Sequence, residues 1–294
     1  MKTIKDQLLS GKILVSDGAW GTFLQNNGLQ PGECPESWNI LKPDVVYRIG
    51  KSYIDAGSDM IETNSFGGNY FKLKMFGLED NVYEYNKAAA QLSRKAAGEK
   101  NVLGSVGPTG KLIMMGDVTE EELYDAFKNQ VVALDEGGAD CIVVETMTAL
   151  EEAMAAIKAA RENTTCEVIC TMTFERGAGD EFNTMMGVTP ADMVNMVIDA
   201  GADIIGANCG NGSEGMISIV NKIRAVNKDI PVLIHANAGM PVYKDGETFF
   251  PESPDDMALY VQRLINAGAN IIGGCCGTTP EHIKKIADIV KARS

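Results

Sequence analysis

The stretch Ala267-Gly268-Ala269-Asn270-Ile271-Ile272 carries a pattern that occurs four times along the chain and decides the fold. In each copy a helix-forming segment ends at a glycine, a short side chain follows, and an apolar run of strand length begins. Glycine supplies the left-handed conformation with which helices commonly end, and the apolar run is typical of a strand buried on both faces. The other copies are Ala56–Ile61, Gly137–Ile142 and Ala200–Ile205. Each copy therefore predicts a helix followed directly by a parallel strand.

Four further apolar runs alternate with these copies along the chain and bring the expected strands to eight. They are Ile13–Val15, Val102–Val106, Val168–Thr173 and Val232–His235. Amphipathic segments separate the strands, and several begin with proline or acidic residues, as helix starts prefer. The expected helices are Asp44–Ala56, Asn81–Ala97, Glu120–Glu136, Leu150–Arg161, Pro190–Ala200, Glu214–Val226, Pro254–Ala267 and Pro280–Ala292. Eight alternating units predict an α/β fold of the (β/α)8 TIM barrel type rather than an open doubly wound sheet.

Length and composition indicate one domain and exclude several classes of partner. The 294 residues suit a single barrel spanning 1–294, since no low-complexity linker interrupts them. A formal charge of -14 repels phosphate backbones and anionic membranes, so we expect a small molecule or a protein as partner, with no nucleic acid and no membrane. No apolar run has the length of a membrane span or of a signal-peptide core, which predicts a cytoplasmic protein. The oligomeric state is left open by the sequence.

Polar residues follow seven of the eight expected strands. In barrels of this kind the carboxyl ends of the strands form the active site, so these side chains are expected to converge on one mouth. The polar ends are Asp17-Gly18-Ala19, Glu62-Thr63-Asn64, Ser105-Val106-Gly107-Pro108-Thr109-Gly110, Glu145-Thr146, Asn208-Cys209-Gly210, Asn237-Ala238-Gly239 and Cys275-Cys276-Gly277. Their shared location indicates a catalytic site more strongly than any single residue does.

Cys209, Cys275 and Cys276 are the predicted metal ligands and the centre of the chemistry. Side chains from alternate strands share a layer in these barrels, so the sixth and eighth strands would bring the three thiols together. Three thiolates select zinc, and three protein ligands with an open fourth position are typical of a catalytic zinc site. The alternative for these residues is a reduced or redox-active cysteine pair without metal.

The remaining cysteines and the histidines are not expected to be ligands. Cys141, Cys166 and Cys170 lie in or beside apolar strands, where a free cysteine packs as a small hydrophobe, and Cys34 is a loop residue without an assigned role. The two histidines, His235 and His282, are interpreted as strand and helix-surface residues.

A zinc-bound thiol is deprotonated and remains nucleophilic, which suits attack on an electrophilic carbon. Asp17 and Glu145 could bind an ammonium group at the same mouth, and the backbone N–H groups of Gly18 and Ala19 could bind a carboxylate. Loop capping or surface ion pairing is the alternative for either carboxylate. A substrate with these three groups is an amino-acid thiol. Asn64 and Asn237 could orient the substrate, or could occupy the fourth zinc position when no substrate is bound.

These segments resemble the homocysteine S-methyltransferase family, and most closely the homocysteine-binding module of cobalamin-dependent methionine synthase. The matching motifs are Ser16–Phe23 (SDGAWGTF), Ile61–Gly67 (IETNSFG), Gly104–Lys111 (GSVGPTGK), Val144–Met147 (VETM), Gly206–Asn211 (GANCGN), Ala236–Met240 (ANAGM) and Ile272–Lys284 (IGGCCGTTPEHIK). The resemblance implies that Cys209, Cys275 and Cys276 bind zinc, that Asp17 and Glu145 contact the homocysteine amine, and that methionine is the product. His235-Ala236 departs from the family, which often has a proline before the asparagine.

The resemblance leaves the methyl donor open. The chain ends after the barrel, so we expect methylcobalamin to be carried by a separate methyl-corrinoid protein that docks over the mouth. A diffusible donor such as S-methylmethionine or a betaine is the alternative. Two other functions are weighed against methyl transfer: a non-catalytic homocysteine- or zinc-binding module, and a zinc hydrolase. The hydrolase is disfavoured by the all-thiolate ligand set and by the expected lack of histidine near the mouth.

Overall fold

The apolar runs that follow the helix-ending glycines form strands of one parallel sheet in the computed structural model, which describes residues 3–244 and 247–293. Eight strands, β1 to β8, are hydrogen-bonded in the order β1-β8-β7-β6-β5-β4-β3-β2, so the sheet curves into a nearly closed barrel. They are β1 (Leu14–Val15), β2 (Met60–Glu62), β3 (Asn101–Val106), β4 (Cys141–Met147), β5 (Glu167–Met172), β6 (Ile204–Gly212), β7 (Val232–Asn237) and β8 (Ile271–Gly274). The predicted (β/α)8 barrel is confirmed.

Eight helices, α1 to α8, follow the strands in turn and cover the outside of the barrel. They are α1 (Pro43–Ala56), α2 (Val82–Ala97), α3 (Glu120–Gly137), α4 (Leu150–Asn163), α5 (Pro190–Asp199), α6 (Ser213–Val226), α7 (Pro254–Ala267) and α8 (Pro280–Lys291). Their bounds agree with the expected helices to within two residues, because prolines and capping side chains mark the starts and glycines mark the ends. Gly57, Gly138, Gly201 and Gly268 have φ angles between 102° and 113°, as the predicted left-handed caps require.

β1 and β2, the two ends of the sheet, are joined through Asp59. Its backbone N–H donates to the Val15 carbonyl at 2.7 Å, and its carboxylate accepts from the Val15 N–H at 2.9 Å. A side chain thus supplies one of the bonds that a strand ladder would otherwise make. This seam brings the loop after β1 close to the loop after β2, and both loops contribute to the mouth.

The barrel interior changes from apolar to polar along the strands. An apolar lower layer is closed by the N-terminal helix Ile4–Leu9. Because side chains alternate along a strand, the residue two positions further on each strand faces the same interior. Lower-layer residues are Leu14, Met60, Leu103, Val143, Ile169, Leu233 and Ile271. Two positions further lie Ser16, Glu62, Ser105, Glu145, Thr171, His235 and Gly273. The mouth thus has a floor of polar and titratable groups.

Short elements in the loops were not predicted from the sequence. The loop after β1 contains the helices Gly21–Asn26 and Trp38–Leu41, and the loop after β2 contains Tyr70–Lys74. Two short antiparallel hairpins rise from the loops after β5 and β7. All of these elements lie at the carboxyl ends of the strands, where they surround the mouth. Within the described residues, no helix is long and apolar enough to cross a membrane.

Candidate metal centre and substrate cavity

The three predicted ligands meet at the mouth of the barrel. Cys209 lies in β6, whereas Cys275 and Cys276 follow β8 directly, and β7 separates the two strands in the sheet. Their sulfur atoms all lie within 4.8 Å of one another, and the Cys209 and Cys276 sulfurs are 3.9 Å apart. A tetrahedral zinc site with Zn–S bonds of about 2.3 Å has sulfur–sulfur edges of about 3.8 Å. Over residues 3–244 and 247–293 this is the one cluster of potential ligands with such spacing.

An irregular backbone at the end of β6 aims Cys209 into the cluster. Cys209 has a φ angle of 57°, a left-handed conformation that residues other than glycine rarely adopt. The pairing of β6 with β7 shifts between Asn208 and Gly212, which marks a bulge. Bulges of this kind redirect side chains beside active sites, and strained conformations concentrate there. The backbone is therefore shaped for the position of this sulfur.

Glycine at position 273 allows β8 to pass close to the floor of the cavity. A Cβ atom added there would lie 2.7 Å from the Asp17 carbonyl oxygen and 2.8 Å from Cδ2 of His235. Any larger residue would push the strand outward and move Cys275 and Cys276 with it. The Gly273-Gly274 pair before the cysteines is thus explained by close packing.

The electrostatics of the three thiols indicate that they need a cation to ionise together. Hydrogen bonds from Cys275 and Cys276 lower the pKa of Cys209 to about 3. The interactions with Cys209 in turn raise the pKa of Cys276 to about 12, and the pKa of Cys275 is also raised. Ionisation of one of the three thiols is therefore favoured, whereas ionisation of the second and the third is opposed. A divalent cation that prefers sulfur ligands would remove that opposition, so the donor set fits zinc.

The other four cysteines lie apart from this cluster and differ from it in environment. Cys141, Cys166 and Cys170 are buried in the hydrophobic cores, as their apolar neighbours predicted. Burial raises the pKa of Cys170 to about 12, so this thiol stays protonated. Cys34, unassigned from the sequence, is buried and its Sγ lies 3.3 Å from Oε2 of Glu36. All four are buried, whereas the three cysteines at the mouth are only partly buried.

A cavity of about 280 Å³ opens beside the three sulfurs. Four of the six predicted substrate-binding residues border it: Gly18, Ala19, Asn64 and Glu145. The other two, Asp17 and Asn237, are buried and do not border it. Asn237 instead hydrogen-bonds Cys209, where it helps to lower the pKa of that thiol.

Asp17 is buried next to the cavity without bordering it, and its carboxylate accepts hydrogen bonds from the protein. It accepts hydrogen bonds from Nε1 of Trp20 at 2.9 Å, from the backbone N–H of Glu62 at 2.8 Å and from Oγ of Ser16 at 3.3 Å. Burial, together with the nearby charge of Glu62, raises the pKa of Asp17 to about 7. Its bonds connect the loop after β1 to β2.

Glu145 borders the cavity, and both of its carboxylate oxygens have partners within the protein. Ser105 donates to one oxygen, and the side-chain amide of Asn208 lies 3.4 Å from the other. The same amide is 4.0 Å from the sulfur of Cys275. Burial raises the pKa of Glu145 well above its ordinary value, and the charge of Glu62 adds to that shift. Asn208 thereby connects the acidic residue to the sulfur cluster.

Glu62, which was expected at the mouth without a role of its own, and His235 are among the other residues that border the cavity. Burial raises the pKa of Glu62 to about 8 and lowers the pKa of His235. Oε1 of Glu62 and Nδ1 of His235 are 3.4 Å apart, without the geometry of a hydrogen bond. His235 is a strand residue outside the sulfur cluster, as predicted, but the expected lack of histidine near the mouth is wrong. Its even spacing from Leu233 along β7 was the available signal.

The second histidine also differs from its prediction. His282 was expected on the surface of a helix, but it is buried at the start of α8. Its Nδ1 accepts from the backbone N–H of Thr279 at 3.1 Å, and its Nε2 is 3.0 Å from the Glu252 carbonyl oxygen. His282 thus takes the place of the usual glutamate in a capping box and connects α8 to the loop before α7.

Two of the predicted substrate contacts have local partners. The backbone N–H of Ala19 donates to Oγ1 of Thr278 at 3.0 Å, so the loop after β1 is fixed to the cysteine loop. The side-chain amide of Asn64 donates to the Pro35 carbonyl at 2.8 Å and to Oδ1 of Asn39 at 3.0 Å. Asn64 therefore holds the loop that covers one side of the cavity.

Comparison with known proteins gives the same assignment for nearly the whole chain. The family model described as homocysteine S-methyltransferase matches residues 14–290. Methionine synthase of Mycobacterium leprae is 31% identical over 299 residues, and that of Mycobacterium tuberculosis is 32% identical over 298 residues. These alignments cover 97% and 96% of this chain but 25% of each relative. The chain thus spans about a quarter of the length of these curated relatives.

Solved structures show the same fold at lower sequence identity. The metallated homocysteine methyltransferase MmuM of Escherichia coli has a TM-score of 0.76 at 23% identity, with 96% of each chain covered. The carboxyl transferase domain of Rhizobium etli pyruvate carboxylase has a TM-score of 0.53 at 15% identity, with 98% of this chain and 48% of that chain covered. At these identities the two likenesses show the fold alone. On the match to its family model, the chain belongs to the homocysteine S-methyltransferase family.

Proposed function

We propose that this chain is a zinc-dependent homocysteine S-methyltransferase that converts homocysteine to methionine. The observation that carries the proposal is a single cavity with three converging sulfur atoms on one side and buried carboxyl groups on the other. A ligand that satisfies both sides needs a group with affinity for a soft metal and a cationic group a few bonds away. An amino-acid thiol has both.

Cys209, Cys275 and Cys276 would hold the zinc ion, since their spacing and their shared charge fit it. A zinc ion bound there would supply the Lewis acidity that deprotonates the substrate thiol near neutral pH. The protein residues contribute the remaining steps. Asn208 and Asn237 donate toward the sulfurs, which fixes the orientation of the ligands, and partners of this kind commonly tune metal affinity.

The acidic side of the cavity would bind the amino group of the substrate. Asp17, Glu62 and Glu145 are all buried, and burial raises the pKa of each, so the empty cavity disfavours their ionised forms. An ammonium group would stabilise those ionised forms and would be bound in return. The direct contact of Asp17 with the amino group stays a prediction, and its oxygens also accept hydrogen bonds from Trp20 and Glu62. Gly18, which borders the cavity, is the proposed contact for the substrate carboxylate.

For the methyl donor we propose a methylated corrinoid on a separate protein that docks over the mouth. The support is the resemblance of the motifs to the cobalamin-dependent enzymes and the identity to the two mycobacterial methionine synthases. The mouth would receive the methyl group from above, since the floor of the barrel is closed by packed side chains. S-methylmethionine and glycine betaine are the alternative donors.

A hydrolytic zinc site is a weaker candidate even though a histidine borders the cavity. Catalytic zinc sites that activate water generally use histidine or carboxylate ligands, whereas the three converging ligands here are sulfurs. The histidine at position 235 lies beside Glu62 and is outside the ligand cluster.

The test is a comparison of initial rates with the zinc-loaded protein. Homocysteine is supplied with methylcobalamin, S-methylmethionine or glycine betaine, and methionine is measured by mass spectrometry. We expect methionine with methylcobalamin and little with the other two donors. Methionine from another donor alone would replace the corrinoid proposal. If homocysteine binds without methionine from any donor, the chain is a binding module and the enzymatic proposal fails.

A further inference from the structure

The segment 250–252, which precedes α7, packs against both parts of the backbone that carry the sulfur ligands, without bordering the substrate cavity. A Cβ atom added to Gly277, the residue that follows the cysteine pair, would lie 2.3 Å from Cγ of Phe250. A Cβ atom added to Gly212, where the bulge of β6 ends, would lie 3.0 Å from Oε1 of Glu252. One short segment thus supports the end of β6 and the loop after β8 together.

Backbone hydrogen bonds connect this segment to the metal ligands. The Glu252 N–H donates to the Ala238 carbonyl at 2.9 Å, and the Ala238 N–H donates to the Cys276 carbonyl at 3.0 Å. Ala238 directly follows Asn237, whose side chain hydrogen-bonds Cys209. A displacement of Glu252 would therefore move the end of β7, and with it the groups that restrain Cys276 and Cys209.

His282 holds Glu252 in place from the start of α8. The histidine side chain is buried, and both of its ring nitrogens have partners. Nδ1 accepts from the Thr279 N–H at 3.1 Å, so this nitrogen carries no hydrogen. The ring hydrogen therefore lies on Nε2, which donates to the Glu252 carbonyl at 3.0 Å. One side chain thus joins α8 to the segment that supports the cysteines.

Helix capping alone does not account for a histidine at this position. Carboxylates complete the capping boxes of α3, α5 and α7, and they belong to Glu122, Asp192 and Asp256. A carboxylate could accept from the Thr279 N–H in the same way, but it could not donate to a carbonyl oxygen. An imidazole accepts at one nitrogen and donates at the other. The bond from Nε2 is therefore additional to the cap.

We infer that His282 is a positioning residue for the metal centre, which acts through Glu252 and Ala238 on the backbone of the three sulfur ligands. The residue touches neither metal nor substrate, since it lies outside the ligand cluster and does not border the cavity. The inference rests on the proposed function, because it takes the three sulfurs to bind zinc. Residues behind metal ligands commonly change metal affinity by roughly 10- to 100-fold.

The test compares two substitutions of the same residue. His282→Ala removes both side-chain hydrogen bonds, whereas the amide of His282→Gln has an acceptor and a donor and can keep both. Zinc affinity is measured by competition with a chromogenic chelator. We expect His282→Ala to weaken zinc binding by roughly 10-fold, and His282→Gln to restore most of the loss. If His282→Gln binds zinc as weakly as His282→Ala, the hydrogen bonds are not the cause and the inference is overturned.

Glu122→Ala is the matched control, since Glu122 completes the capping box of α3, which carries no metal ligand. Both alanine variants should lower the melting temperature, but only His282→Ala should weaken zinc binding. Cobalt(II) in place of zinc gives a second measurement, because its absorption bands depend on the geometry of its ligands. The bands should change in His282→Ala and stay as in the wild type in Glu122→Ala. Equal zinc affinities in the two alanine variants would overturn the inference.

A measurement on the wild type decides the matter if His282→Ala does not fold. Because coupling between two sites is reciprocal, zinc should in turn slow hydrogen exchange at the Glu252 and Ala238 N–H groups. Exchange that zinc leaves unchanged would overturn the inference. A wild type that bound neither zinc nor cobalt would overturn the proposed function as well, whereas wild-type metal binding in His282→Ala would overturn the inference alone.

Discussion

The two sides of the cavity are built by different means. The sulfur side depends on backbone: a left-handed Cys209, a bulge in β6 and a glycine pair in β8 bring three short side chains together. On the carboxylate side, Glu62 lies in a regular strand, whereas Glu145 lies where the pairing of β4 with β5 shifts, next to Thr146 with a φ angle of 59°. Irregular backbone thus accompanies Cys209 and Glu145, while the position of Glu62 needs only the alternation of a regular strand.

The two sides also differ in the kind of ligand that would stabilise their ionised groups. The thiols oppose one another when more than one is ionised, so a cation at a fixed point would stabilise their ionised forms. The buried carboxyl groups oppose ionisation because of burial and mutual charge, so a proposed ammonium ligand that carries its own donors would stabilise theirs. Removing a residue from one side should therefore leave the function of the other side measurable.

The largest effect is expected on the sulfur side. Cys276→Ala removes one of three ligands, and the remaining two thiols would not hold zinc tightly, so zinc content and methyl transfer should both be abolished. Cys166→Ala is the matched control, since Cys166 is buried near the opposite end of β5 and contacts Asp135. Zinc is measured by atomic emission and turnover by methionine formation. Unchanged activity in Cys276→Ala would contradict the metal centre.

The carboxylate side should give the protein a pH-dependent stability of its own. The pKa of Asp17 is about 7 in the folded protein, against an ordinary value of 3.8 for aspartate, so the folded state binds more protons between these values. Stability should therefore fall as pH rises from about 4 to about 7 and then level off, by on the order of a few kcal/mol. Glu62 extends the same trend toward pH 8.

Asp17→Asn tests this trend, because it removes one titrating group and retains an oxygen that accepts from Trp20. The melting temperatures of zinc-loaded wild type and variant are compared at pH 5 and pH 8. The wild type should lose more stability over this interval than the variant. Parallel changes in the two proteins would show that Asp17 does not titrate in this range. Zinc affinity at each pH serves as a control for the sulfur side.

Sequence reasoning identified the sulfur side more completely than the carboxylate side. Cys209 and the Cys275-Cys276 pair are rare residues at strand ends, so the topology of a barrel sufficed to bring them together. Glu62 and Asp17 are both acidic and both end strands, and only the register of the strands shows which one faces the cavity. His235 was missed for the same reason: its position opposite Gly273 is a property of the pairing between β7 and β8.

The fold could be predicted because its signals are local. A glycine cap, a proline at the first turn and an apolar run each act over a few residues, and together they gave the eight helices to within two residues. The hairpins after β5 and β7 and the short helices of the first two loops were not predicted. They have strands of two or three residues or helices of four to six, whose stability depends on packing against the barrel.

A smaller effect is expected from Glu145→Gln. The glutamine retains an acceptor for Ser105 but loses the charge that would stabilise an ammonium group. We expect the KM for homocysteine to rise by roughly 10-fold, because part of a charge-assisted interaction is lost. Zinc content should stay at the wild-type level, which would show that the two sides act separately. Loss of zinc would instead indicate that the chain from Glu145 through Asn208 to Cys275 supports the metal ligands.

The smallest expected effect tests a side-chain connection between the cysteine loop and the loop after β1. Thr278 accepts from the Ala19 N–H at 3.0 Å and donates to the Cys275 carbonyl at 2.7 Å through the same hydroxyl group. Thr278→Val keeps the shape and removes both bonds, which should cost about 1–2 kcal/mol of stability. Thr164→Val is the matched control, since Thr164 donates to the Ala160 carbonyl at the end of α4, far along the chain from the mouth.

Both variants should lower the melting temperature, but only Thr278→Val should also weaken zinc binding, by a few-fold, because Cys275 loses a restraint on its backbone. Competition with a chromogenic chelator measures that change. If both variants alter zinc affinity equally, the effect comes from general loss of stability, and the hydroxyl group does not join the two sides. If neither alters it, the bulge in β6 and the glycines of β8 position the sulfurs without help from the loop after β1.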